Sequence, residues 1–519
     1  MRALRLTNLK FSLVVPLLGS LLVSAFFPLS AAGQANDYGS VRDWREDNEL
    51  AIIQTYFELL RLPNIARNDG DVSANARMLE ALFEAEGLDV QLSSELYPHH
   101  ARAPLVIGRY AADNPRGTLL LYIHYDGQPV NTELWTVCPP FDPCVADEGG
   151  PITLTPNTEL DPQWRIYGRS ASDDKAPIMS LLQAVRALRA TGSEPRWNLF
   201  VMLDGQEESG STNFREYLRD HGDAIEADLA IALDGPRHPS TLPTMYYGVR
   251  GGASLTLQVH TAQQDLHSGN YGNWAPDPSI AMAKLLATMK ADDGRVTIAG
   301  FYDQVMPLTD VELAALAAIP DIEDNLASTF AIAAPEQSGT RLETKLNWPT
   351  LNVLAMDSGG GFSAPSRTAI PGFAQARLAM RLVRGIDPQR QIQLLLDHIR
   401  EQGYYLVENR EPTIEERQQY AKLASVSYGG GRPATRVSME MPLARSVANA
   451  LTLDGVQPVQ LPTLGGSLPF GDFSEGLGIP TVGVALVNHD NNQHGPDENL
   501  RLLNLWQGIE IVSRLMTMD

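Results

Sequence analysis

Cysteine is nearly absent from this chain: Cys138 and Cys144 are the only two among 519 residues. A thiolate zinc site calls for four soft or imidazole ligands close together, and the segment WTVCPPFDPCVADE supplies two cysteines and no histidine. Basic charge is also scarce, with 40 Lys and Arg against 62 Asp and Glu and a formal net charge of -22. Such a balance repels phosphate backbones and anionic membrane surfaces, which argues against nucleic acid as a partner; its plainest use is solubility. Beyond Leu29 no apolar run is long enough to span a bilayer, so no stable membrane span is expected after processing. Internal repeats and long low-complexity tracts are lacking too, which leaves a globular enzyme as the natural class.

What is present begins with a leader pattern. Arg2, Arg5 and Lys10 precede an apolar run from Phe11 to Leu29, followed by Ser30, Ala31 and Ala32. This is the layout of a secretory signal over residues 1–32, and it implies export to the periplasm or beyond. The run exceeds the roughly 7 to 15 residues of an ordinary signal core, so an uncleaved anchor is the alternative; Pro16, Gly19 and Pro28 weigh against it. In an exported chain the closeness of Cys138 and Cys144 suggests one small disulfide loop, with free thiols as the other reading.

A chain this long exceeds one hydrophobic core, so two domains are expected, and 44% hydrophobic residues suffice to fill them. Amphipathic helical patterns alternate with short apolar runs, the signature of an α/β fold. Thr118–Ile123, Trp197–Leu203, Leu229–Leu233 and Pro480–Leu486 are almost continuously apolar, as strands buried on both faces should be. After Asp174, the residues Ile178, Leu181, Leu182, Val185 and Leu188 recur at helical spacing up to Thr191-Gly192. From about Thr244 to Arg432 the pattern changes, with strand-like TMYYGVRGGASLTLQVH and FAQARLAMRLV, before the first kind of pattern resumes. The expected organisation is therefore a catalytic domain from 37–243 and 433–519, interrupted by a smaller α+β domain over 244–432, with YGGGRP as a candidate hinge.

Polar clusters follow the apolar runs, where open α/β sheets collect ligands. In HYD, alternation puts His124 and Asp126 on one side of an extended chain, so the carboxylate can orient the imidazole. In GRSASDDKAP, Asp173 and Asp174 open the predicted helix, where capping alone would explain them; the functional alternative is that Asp173 shares its oxygens between two cations. DGQEES places Glu207 and Glu208 side by side with diverging side chains, suited to one metal ligand and one proton carrier, or simply to a solvated turn. Asp234 ends another apolar run, and His494 lies in an Asn- and Asp-rich loop after the last. Each is unremarkable alone; together these imidazoles and carboxylates form a donor set for zinc, manganese or cobalt.

LLLYIHYDGQPV, YGRSASDDKAP, DGQEESGS, ALDGP, DLHSGNYG and HGPDEN occur in an order that resembles the dizinc metallopeptidase family of carnosinases, bacterial dipeptidases, aminoacylases and carboxypeptidase G. The resemblance covers nearly the whole mature chain. It implies a zinc-peptidase-like catalytic domain with an inserted lid and dimerisation domain, and a homodimer. It implies that His124 and Asp234 hold one zinc, Glu208 and His494 the other, and that Asp173 bridges them. By the same resemblance Asp126 orients His124, Glu207 is the general base, and His267 of DLHSG stabilises the oxyanion, often from a partner subunit. Arg381 in RLAMRLV matches the arginine that receives a substrate carboxylate, and Asn352, Gly465, Gly466 and Ser467 fall where the family contacts substrate. A strand-face charge, an Asn turn and a Gly-Gly turn would also account for these positions. Ser170 and Ala176 depart from the family's glycine-rich pattern, and the segment Tyr302–Lys345 has no assigned role. The expected activity is hydrolysis of dipeptides or C-terminal peptide bonds, with N-acyl-amino-acid deacylation as the rival and a noncatalytic binding protein as the reading from another class.

Overall fold

The structure, a computed structural model, describes residues 39–67, 70–337, 339–359 and 368–519, so the leader read over 1–32 lies outside the described residues. Residues 38–519 form one compact unit.

The four apolar runs become neighbouring strands. In an eight-stranded sheet, Asn198–Asp204, Thr118–His124, Leu229–Ala232 and Thr481–Ala485 lie side by side and parallel. Asp89–Leu92 and Val106–Tyr110 extend one edge antiparallel; Thr244–Tyr246 and Val459–Leu461 complete the other. The continuous hydrophobicity of the central strands has a simple cause: both faces are covered. Leu119, Leu121, Ile123, Val201, Ile231 and Val482 point into one core, packed beneath helices that include Gly39–Leu60, Lys175–Ala190 and Leu502–Thr517. Leu120, Tyr122, Phe200 and Met202 point into a second, with Phe214, Phe470 and Phe473.

The smaller domain is a five-stranded sheet in the order Thr350–Ser358, Phe373–Leu382, Gly251–His260, Leu423–Tyr428, Tyr405–Glu408. Alternating burial along Gly251–His260 and Phe373–Leu382 turns one face toward the helices Pro278–Ala287 and Pro388–Glu401.

Two parts of the span 244–432 join the larger sheet instead. The run TMYYGVRGGASLTLQVH breaks into three strands, of which Thr244–Tyr246 pairs with Thr481–Ala485 and Val459–Leu461, Gly248–Val249 pairs with Thr435–Arg436, and only Gly251–His260 enters the small sheet. The crossing is tight, since a Cβ on Gly251 would lie 2.3 Å from the Arg432 carbonyl oxygen. The unassigned segment 302–345 also reaches across: Leu316 and Ile319, in and just after the helix Asp310–Ala318, bury into the second core of the large sheet. Glu312 there forms a buried ion pair with Arg436 at 2.9 Å. Among the described residues, no helix is long and apolar enough to cross a membrane.

Candidate active site

Parallel strands bring their carboxyl ends to one edge of the sheet, and the polar clusters meet there. His124 closes its strand directly opposite Asp204, while Asp234 follows the Leu229–Ala232 strand by two residues. His124 Nε2 lies 2.9 Å from Asp173 Oδ1 and 3.8 Å from Asp234 Oδ2. His494 Nε2 lies 3.0 Å from Asp173 Oδ2 and 3.3 Å from Glu208 Oε1. Asp173 thus turns one oxygen to each histidine. Ligand atoms of His124, Asp173 and Asp234 fall within 4.8 Å of one another, as do those of Asp173, Glu208 and His494. His494 takes a φ of 64°, a left-handed conformation that non-glycine residues adopt mainly where surrounding structure imposes it.

Asp126 connects the two halves. His124 Nδ1 is 3.1 Å from its backbone oxygen and 3.4 Å from its Oδ1. The same carboxylate accepts the backbone N–H groups of Glu207, at 3.0 Å, and Glu208, at 3.2 Å. One side chain therefore fixes the first imidazole and the turn bearing the adjacent glutamates.

Burial dominates the electrostatics. It pushes Asp126 up to about 6 and Asp234 up to about 7, although His124 pulls both downward. Burial likewise pushes Glu207 up to about 8. Burial opposes the charge on Asp173 as well, but hydrogen bonds from His124 and His494 hold its carboxyl below the usual range. Bonds to Asp173 and Glu208 raise His494 to about 10. Buried carboxylates outnumber imidazoles here, a setting that divalent cations relieve, and the donors are the imidazole and carboxylate types such ions accept.

The residue beside Asp173 does not behave as a cap. Asp174 stands at the N-cap of Lys175–Ala190 without a side-chain capping bond; its Oδ2 accepts the His124 N–H at 3.3 Å and its buried Oδ1 has no hydrogen-bond partner. Lys175 Nζ donates to the carbonyls of Leu59 and Leu62, at 2.9 and 3.0 Å, tying the turn to the first helix.

Sequence reasoning missed Glu498, although it lies in the quoted HGPDEN. Its Oε2 accepts from Arg169 Nη1 at 2.7 Å and Ser170 N at 2.9 Å, and its Oε1 from Ser172 N, Ser172 Oγ and Asp173 N at 3.0, 2.9 and 2.9 Å. This fully buried carboxylate shapes the loop that presents Asp173. Two amides were missed as well: Gln128 Nε2 donates to Glu208 at 2.6 Å and Gln493 Nε2 to Asp173 at 3.3 Å. Tyr246 donates to the Asp234 carbonyl at 2.8 Å, across a gap that exists because residue 483 is glycine: a Cβ there would fall 1.9 Å from the Tyr246 ring.

The other candidates gather apart from these candidate metal ligands. Arg381 Nη1 donates to Ser467 Oγ at 2.9 Å, and Ser467 Oγ donates to the Arg250 carbonyl at 2.7 Å. Gly466 accepts the Arg250 N–H at 3.1 Å, and Gly465 precedes it. Asn352, exposed, donates to Thr350, the strand partner of Arg381. Arg381, Ser467 and Gly466 thus come together around Arg250, with Asn352 on the neighbouring strand. His267 does not join the candidate metal ligands. It is exposed on the short Leu266–His267 strand, its Nδ1 accepts from Gly269 N at 3.1 Å, and among the described residues no hydrogen bond or ion pair links it to the cluster.

Residues 120–518 match Peptidase family M20/M25/M40. The chain belongs to this family. Among M20 relatives it is 25% identical over 417 residues to the Beta-Ala-His dipeptidase of Mus musculus, covering 79% of this chain and 78% of that protein. It is 28% identical over 303 residues to a Cys-Gly metallodipeptidase of Schizosaccharomyces pombe, covering 57% of this chain and 60% of the yeast protein, less than two thirds of its length. The crystal structure of an M20 metallo-carboxypeptidase from Sulfolobus solfataricus superposes with a TM-score of 0.71 at 26% identity, covering 90% of this chain and 98% of the other. As an M20 member, the chain is a metal-dependent peptidase hydrolase with a catalytic α/β domain and a smaller second domain.

Proposed function

We propose that this chain hydrolyses dipeptides or C-terminal peptide bonds with metal-activated water. Two zinc ions would be held by His124 and Asp234 on one side and Glu208 and His494 on the other, with Asp173 shared; manganese or cobalt suits the same donors. The observation that carries this reading is the two-sided carboxylate of Asp173, 2.9 Å from one histidine and 3.0 Å from the other. Ions bound there supply Lewis acidity and lower the pKa of water toward neutrality.

The chain's own residues do the rest. Glu207, beside the proposed ligand Glu208, takes a proton from the attacking water and returns it to the leaving nitrogen. Asp126 keeps His124 in register. Arg381 receives the substrate carboxylate, aided by Asn352, Gly465, Gly466 and Ser467, and His267 stabilises the oxyanion from the partner subunit of a homodimer. Residues 37–243 and 433–519 form the catalytic domain, and most of 244–432 forms the lid. The dipeptidase names of the mouse and yeast relatives support small peptides as substrates. We infer export as well, supported by the basic residues Arg2, Arg5 and Lys10 ahead of the apolar run Phe11 to Leu29 and the small residues after it.

The test is amino-acid release by the purified mature protein from a panel of dipeptides and N-acyl-amino acids. It is run before chelation, after chelation and after zinc restoration, with Glu207→Ala alongside. Zinc-restored dipeptide cleavage that the variant lacks is expected; selective deacylation, or turnover by Glu207→Ala at the wild-type rate, overturns the reading.

A further inference from the structure

The segment Tyr97–His100 rests on the helix Thr212–His221, where Tyr97 Oη donates to Asp220 Oδ2 at 2.8 Å. Its two adjacent histidines converge on one carboxylate oxygen: His99 Nε2 is 2.7 Å and His100 Nε2 3.1 Å from Glu216 Oε2. His100 and Glu216 each have a second partner. His100 is fully buried, stacks on Tyr97 at 4.7 Å between ring centroids, and places Nδ1 3.0 Å from Ser93 Oγ. The other oxygen of Glu216 lies 3.3 Å from Arg219. His99, by contrast, has 61% of its side chain exposed, so the convergence point is open to solvent on that side.

We propose that His99, His100 and Glu216 form a separate binding site for a borderline transition-metal cation of the zinc, nickel or copper class. Two imidazoles and one carboxylate are the donors such ions prefer, whereas calcium and magnesium seek oxygen. The ligand atoms lie within 4.8 Å of one another, close enough for one ion to reach all three. The contacts to Ser93 and Arg219 are of the kind that orient ligating imidazoles and carboxylates. The open side leaves the fourth position to water. An ion there pins the Ser93–Ala103 loop to the helix that begins at Thr212, four residues after Glu208, reinforcing the bond from Asn213 Nδ2 to the Ala103 carbonyl at 2.8 Å. The site shares no ligand with the central cluster.

The experiment is zinc binding to the chelator-stripped full-length mature protein, measured by equilibrium dialysis with elemental analysis. Wild type is compared with His99→Ala, Glu216→Gln and His494→Ala. Wild type is expected to bind one zinc equivalent more than His99→Ala or Glu216→Gln, or to bind it at least about tenfold more tightly. His494→Ala is expected to lose zinc from the central cluster while keeping the extra equivalent, which separates this proposal from the catalytic one. His99 is exposed, so its truncation spares the fold; zinc should raise the melting temperature of wild type more than that of His99→Ala. Equal stoichiometry and equal affinity in wild type, His99→Ala and Glu216→Gln would overturn the site, leaving a histidine–glutamate ion pair.

Discussion

Asp126 and Glu498 each hold several partners with one carboxylate, and both act on candidate metal ligands rather than joining them. Asp126 orients His124 and accepts two N–H groups from the Glu207–Glu208 turn. Asp126→Asn is expected to weaken metal binding by about 10- to 100-fold, read by competition with a chromogenic chelator; an unchanged affinity would show that the contact is incidental. Glu498→Ala strips five hydrogen bonds from the 169–173 loop and leaves Arg169 buried without its charge partner, since the pair is at most 2% exposed. A loss of about 3–5 kcal/mol is expected in denaturant unfolding. Glu207→Gln should bind metal normally yet lower kcat by about 10²- to 10⁴-fold, as expected for removal of a proton carrier. That His124, Asp173, Glu208, Asp234 and His494 come together was legible because each lies in a recognisable motif. Glu498 was not, because a glutamate in a polar loop reads as solvated until the chain that wraps it is known. The Arg381–Ser467 bond joins residues 86 apart, and no local pattern encodes such a contact.

At the level of elements, strands buried on both faces announce themselves as unbroken apolar runs, which is why the four central strands and the helix after Asp174 could be read directly. Edge elements are harder. Thr244–Tyr246 looked continuous with Gly251–His260 because β-compatible residues run on through the glycines; what divides them is a crossing with Arg432–Arg436 that only the fold reveals. Gly251→Ala would press a Cβ onto the Arg432 carbonyl and should cost about 1–3 kcal/mol. Gly429→Ala, with nothing within 4 Å of its added carbon, serves as the control and should stay within about 0.5 kcal/mol of wild type in the same urea titration. The helix Asp310–Ala318 shows the same limit: its apolar residues are plain in the sequence, but their attachment to the large-sheet core is not.

For the molecule as a whole, the candidate metal site gathers residues from position 124 to position 494, so bound ions link distant stretches of chain. Chelation is expected to lower the melting temperature in scanning calorimetry, by an amount corresponding to about 2.7 kcal/mol per ion held at a free concentration 100 times its Kd. A transition unmoved by chelation would mean that no ion favours the folded state. The disulfide loop belongs to the same assembly. Asp497, three residues beyond His494, accepts from Thr136 N and Oγ1 at 2.8 and 2.5 Å and from Val137 N at 3.1 Å, immediately before Cys138. Cys144 opens a strand in the same small sheet as Asn499–Arg501. The consequence is one of timing: until the two thiols are joined, the loop carrying His494 lacks its braced neighbour, so the reduced protein should ripen late and stay a poor hydrolase until it is oxidised.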